Sequence, residues 1–583
     1  MAGLPTINLR ALLVGTATPD GTQPMDVAVP IGSLAMAEQF FGPQSELARM
    51  FRAFYQSNFA NEVWGLPVSQ PAGGTASTGK IVITMPPTAA GTLHFYVAGT
   101  YVPVNVGSTD TLDQVAQEIT DAINAQVNPY IPVTAVKSAT PGEVDLTCTF
   151  KGVNGNEINV TINYYGGRGG QQLPPGIQLT LPQGTGTTAT GGTGTSTGTT
   201  NLTVGGTVVG TIVMGATVTG TGVPAGTHVN SQTSGTPGGP GVYVTNQATT
   251  LSGAALTFTG PPGPAGFMHG GAGTPVWTNA IANLGETPFE YVALSYLDSQ
   301  TLFDWNNEFG FSDSGRWGWA RQLFGHLFGA FRGEYPDLVL WGDQYNYAIT
   351  SVMAFETASP SPSFEWAASY CAKAQRALIN DAARPLQSLS LNDIKLAPFH
   401  QRFNFPELNS LASNGLAIQE AGTDQQPMIL REQTTYQLNL YGAPDDAYEL
   451  VTTLSTLAKL MRNQKQMVTS QFPRMKLADD GTRFGPGQAI VTPGIIKSAL
   501  ISQYQQDMYN GLVENLSAFK QHLLVERDPN DPNRVNVLYP PDLINQLRIF
   551  AVLNQFRLQY DRGVDFEIIG QAPPPFNAAN QSP

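Results

Sequence analysis

Two short apolar blocks open the chain, Arg10 to Gly15 and Glu62 to Val68, and between them the residues from Ser33 to Gln56 repeat apolar positions at helical spacing. The pattern predicts a buried strand, one helix and a second strand, a β-α-β opening. After Pro71 and a Gly-rich link the texture changes to β-prone runs with tight turns, such as Lys80 to Thr84 and Thr92 to Val97. One helix interrupts them. Thr111 and Gln114 have capping-box spacing, and Leu112, Val115, Ala116, Ile119 and Ile123 fall on a single stripe. Residues 72–183 are therefore expected to form an inserted α+β domain.

No Asp, Glu, Lys or Arg occurs between Arg168 and Glu286. The run Gly184 to Thr200 is almost wholly Gly, Thr, Ala and Ser, which predicts a flexible linker because so little apolar surface is available to bury. Beyond it, brief segments such as Leu202 to Val204, Thr211 to Met214, Val242 to Val244 and Ala255 to Phe258 are punctuated by Gly. They predict a small all-β surface module within residues 184–262.

An α/β texture resumes near Trp277, with helices expected over Asn279 to Leu284, Ser299 to Phe309 and Ser363 to Asp381, and a strand over Tyr291 to Ser295. Residues 1–71 and 275–403 would then share one discontinuous α/β domain. Residues 404–583 form the last domain. Strand-like Leu416 to Ile418 and Met428 to Leu430 precede a helix that Asp445 is expected to cap, with Val451, Leu454, Leu457 or Ala458, and Met461 at helical spacing. After the loop Pro473 to Val491, Thr492 and Pro493 read as a cap followed by proline at the first helical position. Ile496, Leu500, Tyr504 and Met508 lie on one side of that helix. Strands are expected over Arg534 to Tyr539, Arg548 to Leu558 and Val564 to Ile569, the last with Val564, Phe566 and Ile568 alternating with Asp565 and Glu567.

Only 12% of the 583 residues are charged, about half the usual share. A surface so poor in charge suits burial against copies of itself. The formal charge of −14 excludes a coat for nucleic acid, which needs clustered Lys and Arg. Cys148 and Cys371 are too few and too far apart for a disulfide framework and are expected in the core, in keeping with a reducing cytoplasm. No apolar run approaches the ~20 residues of a membrane span, and Met1 to Arg10 has no secretory pattern.

Catalytic constellations are missing from the sequence. None of His94, His228, His269, His326, His400 and His522 has metal-ligand spacing, no Gly-flanked serine accompanies a suitable histidine, and Gly485 to Gly487 lacks the ending of a phosphate loop. Asp528 to Asp531 is broken by prolines and reads as a turn rather than a cation loop. No cofactor and no enzymatic activity are expected. The densest basic region is Lys459, Arg462, Lys465, Arg474 and Lys476, which is either a strip that attracts an acidic partner or a solvated helix face.

The segment Pro473 to Pro493, with Glu526 to Arg534 and Pro540 to Phe550, resembles the contractile tail sheath proteins of Mu-like bacteriophages, and the resemblance spans most of the chain. It implies a virion tail protein assembled in the host cytoplasm. The fold class it implies is α/β and α+β multidomain: a discontinuous α/β sheath core, inserted α+β and all-β domains, and a C-terminal α+β polymerisation domain. The implied partners are the chain itself, in hexameric rings stacked in a helix, the tail tube protein, and baseplate and tail terminator proteins. In such a particle Val564, Asp565, Phe566, Glu567, Ile568 and Ile569 would form an inter-subunit strand. Phe550, Val552 and Phe556 would belong to a receiving sheet, and the basic strip would face the tube. Similar proteins carry a longer arm before the strand at Arg10. A capsid decoration or tail-fibre component is the alternative that the Gly/Thr-rich module alone would support.

Overall fold

Five parallel strands and one antiparallel edge strand form the central sheet of the computed structural model. Their order in space is Thr350–Glu356, His326–Gly333, Tyr291–Leu294, Ala11–Thr16, Val63–Val68 and, antiparallel, Val29–Ile31. Every residue of Ala11–Thr16, Tyr291–Leu294 and Thr350–Glu356 is buried, as befits parallel strands covered on both faces. Ala11 and Leu13 point into a cluster with the helices Glu46–Ser57 and Ser363–Asn380. Leu12 and Val14 point the other way, into Trp277, Trp305, Phe309, Leu454 and Ala458. The structure describes residues 9–166, 169–184, 188–210, 212, 216–236, 238–259, 265–548, 550 and 552.

The expected helix from Ser33 to Gln56 is two helices, Leu34–Phe41 and Glu46–Ser57. Gly42 leaves the first at φ 90°, Pro43 follows, and the Ser45 hydroxyl accepts from the Ala48 amide to start the second. Apolar positions continue through this break because both helices bury theirs in the same core cluster.

Within residues 76–180 the strands Gln178–Thr180, Ala76–Met85, Glu143–Lys151 and Val133–Lys137 make one antiparallel sheet. Gly91–Val97 joins Thr100–Val106 and Val160–Ile162 in another. The helix Leu112–Asn124 begins with both halves of the expected capping box, and Val115, Ala116, Ile119 and Ile123 are buried. Cys148 and Cys371 are buried free thiols, as expected.

From Thr188 on, the run read as a flexible linker is a strand. Thr188–Gly205 pairs along its length with Gly241–Thr259, and Thr217–Gly220 and Val229–Gly235 pair with the same partner. The reason lies in the small residues. Ala189, Gly192, Gly194 and Ser196 alternate inward while threonines face out. A Cβ on Gly194 would stand 2.5 Å from Leu256 Cδ1, so glycine lets Leu256 and Leu202 pack onto the backbone itself. Leu202 and Val204 at the strand's own end and Tyr243, Leu251, Leu256 and Phe258 on the paired strand supply the core that residues 188–200 lack.

In the last third, Val451–Gln471 packs against Pro493–Tyr509, and Leu460, Met467, Leu500, Tyr504 and Phe519 form a core of their own. Thr492 caps the second helix by accepting from the Ile495 amide, as expected. Asp445 does not cap the first. That helix starts after Leu450 with no side-chain cap, and the Asp445 carboxylate instead accepts from the Tyr436 hydroxyl and the Ala447 amide. A hairpin of Leu524–Arg527 and Val535–Leu538 follows.

The described residues up to Ile544 form one compact unit, and Asn545–Pro583 is a second. Of the second unit, 545–548, 550 and 552 are described. None of these lies in a strand, although the sequence pattern predicts one from Arg548 to Leu558.

Candidate assembly surface

In a parallel sheet of this order the strand order reverses between Ala11–Thr16 and Tyr291–Leu294, and the crevice beyond their carboxyl ends is where open α/β sheets bind ligands. Here protein fills it. The fully buried Glu46 carboxylate accepts from the Thr16 amide and hydroxyl, both at 2.9 Å, and from Asn154 of residues 153–157, whose amide also donates to the Ser295 carbonyl at 2.8 Å. Burial pushes the Glu46 carboxyl above the usual range, against the pull of these hydrogen bonds.

The same seam holds two cations with buried side chains, Arg49 and Arg332. Arg49 Nε donates to Glu365 at 2.6 Å, and its other nitrogens reach the carbonyls of Tyr130 and Ala98. Burial drives Glu365 up and Arg49 down, and their mutual attraction works against it. Arg332 Nε donates to Glu157 at 2.6 Å, its guanidinium reaches the carbonyls of Thr357, Ser359 and Ser361, and it lies against Phe267 and Phe355.

The basic residues expected to act together are divided by the fold. Arg462 turns inward, donating to Glu290 at 3.2 Å and lying over Phe324. Burial raises the Glu290 carboxyl to about 7, and the same burial lowers the neighbouring His326 to about 4. Lys459 and Lys465 are exposed, and Lys459 shares with Arg462 a cavity of about 350 Å³ that Leu9, Tyr291, Asp381 and Asn510 also line. Arg474 and Lys476 lie beyond the helix in an exposed loop, Arg474 at φ 56° and Lys476 in a two-residue strand paired with Ile490–Val491. Nothing near Arg462 in sequence signals Glu290, which is why its inward turn was not legible.

Phe550 and Val552 are exposed. Phe556 and the whole of Val564 to Ile569 lie outside the described residues. Among the described residues no group of three or more His, Cys, Asp or Glu is placed to hold a metal ion, and no helix is long and apolar enough to cross a membrane.

A filled ligand crevice, charges engaged in internal seams and exposed patches on the last third are features of a structural subunit. Residues 443–557 match the family model of the phage tail sheath C-terminal domain. The Mu-like prophage FluMu tail sheath protein of Haemophilus influenzae is 31% identical over 558 residues, covering 96% of this chain and 95% of that protein. The chain belongs to the phage tail sheath protein family: it is a structural protein of the tail and not an enzyme, and the decoration or tail-fibre alternative is not favoured. Among solved structures, a sheath tail protein from Desulfitobacterium hafniense matches at 10% identity and a TM-score of 0.39, covering 92% of this chain and 97% of that one. One from Listeria innocua matches at 10% identity and 0.41, covering 94% and 93%.

Proposed function

We propose that copies of this chain stack head to tail, as rings of six in a helical array around a tail tube, and that the array shortens to drive the tube through the host envelope. What carries the reading is the end-to-end match to a tail sheath protein, which leaves little of either chain unaccounted for. Identical contacts that combine rotation with a rise generate such an array without closing. Baseplate and tail terminator proteins would bound it at its two ends.

In this scheme residues 1–71 with 275–403 are the sheath core, 72–183 and 184–262 are insertions toward the outside, and 404–583 hold neighbours and tube. The segment Val564 to Ile569 adds a strand to an adjacent copy, where Phe550, Val552 and Phe556 belong to the receiving segment. The exposed Lys459 and Lys465 meet the tube, while Arg462 stays with Glu290. Each copy tilts and slides as a body while its arms keep their hydrogen bonds. A better-matched short array would supply the driving force, held back by a kinetic barrier until release.

Negative-stain electron microscopy of the purified full chain, with and without tube protein, tests this. Tubes or cogwheel-like rings are expected. A chain that stays monomeric under both conditions at high concentration overturns the reading, and a truncation at Tyr560 that still builds full-length sheaths removes the role of the terminal strand.

A further inference from the structure

The helix Val451–Gln471 carries a different kind of surface at each end, about 30 Å apart at the usual helical rise. Before its start, bridges of Gln433 with Leu450 and of Leu438 with Pro444 hold a hairpin. The Asn346 carboxamide accepts from the Gln437 and Leu438 amides at 2.7 and 3.0 Å and donates to the Leu438 carbonyl at 2.8 Å. At the tip, Asn439 accepts from the Tyr441 and Ala443 amides at 2.9 and 3.1 Å, and Gly442 makes the turn at φ 74°. This fixed tip holds Leu440 and Tyr441 at relative exposures of 101% and 95%. At its base Asp445 is held by Tyr436, and Asp446 is exposed with no ion-pair partner among the described residues.

Past the helix, the loop 472–491 exposes Met475 and Phe484. Its acids are engaged inside the subunit: Asp479 pairs with Arg527 at 3.0 Å, and Asp480 accepts from the Gly494 amide at 3.0 Å. Its cations are not. Arg474 and Arg483 have no ion-pair partner among the described residues, and Lys476 reaches the Gln488 amide oxygen.

We propose that the hairpin tip of one copy docks on the loop 472–491 of the next, Leu440 and Tyr441 against Met475 and Phe484, with Asp445 and Asp446 facing Arg474, Lys476 and Arg483. The proposal rests on the polymerising reading above and gives it one of its head-to-tail contacts. Like ends repel, since hairpin against hairpin sets acid against acid and loop against loop sets cation against cation. Unlike ends match in charge and in apolar character, which is the condition for a heterologous, propagating contact. A tip already fixed by its own hydrogen bonds loses little freedom on docking. Arg474 and Lys476 are thereby assigned to a neighbouring copy rather than to the tube.

The test is polymerisation of the full-length chain, read by sedimentation across a concentration series, with melting temperature as the folding control. Leu440→Ser with Tyr441→Ser is expected to raise the critical concentration at least about tenfold, the equivalent of about 1.4 kcal/mol. Asp446→Lys, and separately Arg474→Glu with Arg483→Glu, are each expected to raise it about threefold or more, and combining all three reversals in one chain should restore it. If the serine variant melts early, the charge reversals decide. Wild-type chain that never polymerises defeats the polymerising reading. Wild-type chain that polymerises, with hairpin variants at its own critical concentration and no rescue by the combined reversal, overturns this docking alone, as does a loss confined to tube binding.

Discussion

In the seam between the central sheet and residues 76–180, the side chains of Arg49, Glu365, Glu46 and Arg332 are withdrawn from solvent; Arg49, Glu46 and Arg332 are each held by two or more partners, and Glu365 is held by Arg49. Around the helix Val451–Gln471, Lys459, Lys465, Arg474 and Asp446 remain in solvent. Buried pairs are costly to break and fix one arrangement of the elements that carry them. Exposed charges interact weakly, respond to salt and exchange partners readily. The contrast suits a subunit that keeps its own shape while its neighbours change position.

The largest effect should come from the seam. Arg49→Met leaves Glu365 buried without its cation, and chemical denaturation should show a loss of about 3–5 kcal/mol. An equal loss from Lys465→Met would erase the contrast.

Next is the junction of Glu290 and His326. Glu290, raised from 4.5 to about 7 by burial, contributes stability that is complete below pH 4.5 and is lost as pH rises through about 7. His326, lowered from 6.5 to about 4, contributes stability that is complete above pH 6.5 and is lost as pH falls through about 4. Each is worth about 3 kcal/mol, and between pH 4.5 and 6.5 their proton uptakes oppose one another. Glu290→Gln should therefore lose stability relative to the parent as pH is lowered through that window. Parallel curves for variant and parent would contradict the assignment.

Gly194→Val should destabilise the β module by about 1–3 kcal/mol, because the new Cβ meets Leu256 where the backbone now lies. Thr492→Ala should cost about 1 kcal/mol through its lost cap. Smallest is Lys459→Ala with Lys465→Ala, expected within about 0.5 kcal/mol of the parent in stability. Its effect should appear in co-sedimentation with tube at low salt and fade as salt rises.

Local signals carried much of the fold. The capping box at Thr111, the Thr492–Pro493 start and the helix Ser299–Phe309 appear where the pattern places them. His326–Gly333 and Thr350–Glu356 went unread because a parallel strand buried on both faces shows no alternation. The run Gly184 to Thr200 was misread because the side chains that pack on its glycines, Leu256 on the paired strand and Leu202 just beyond the run, are not visible in its own composition. Arg462 was placed in an outward strip because its partner lies 172 residues away. Basic residues are visible in a sequence, but which of them the fold keeps for itself is not.

Sedimentation velocity of the full chain with its tube, from about 0.05 to 1 M salt and paired with melting curves at each step, tests the division most directly. The account predicts large assemblies that fall apart as salt rises while the melting temperature holds steady. Assemblies indifferent to salt, or a melting temperature that collapses in step with them, would contradict it.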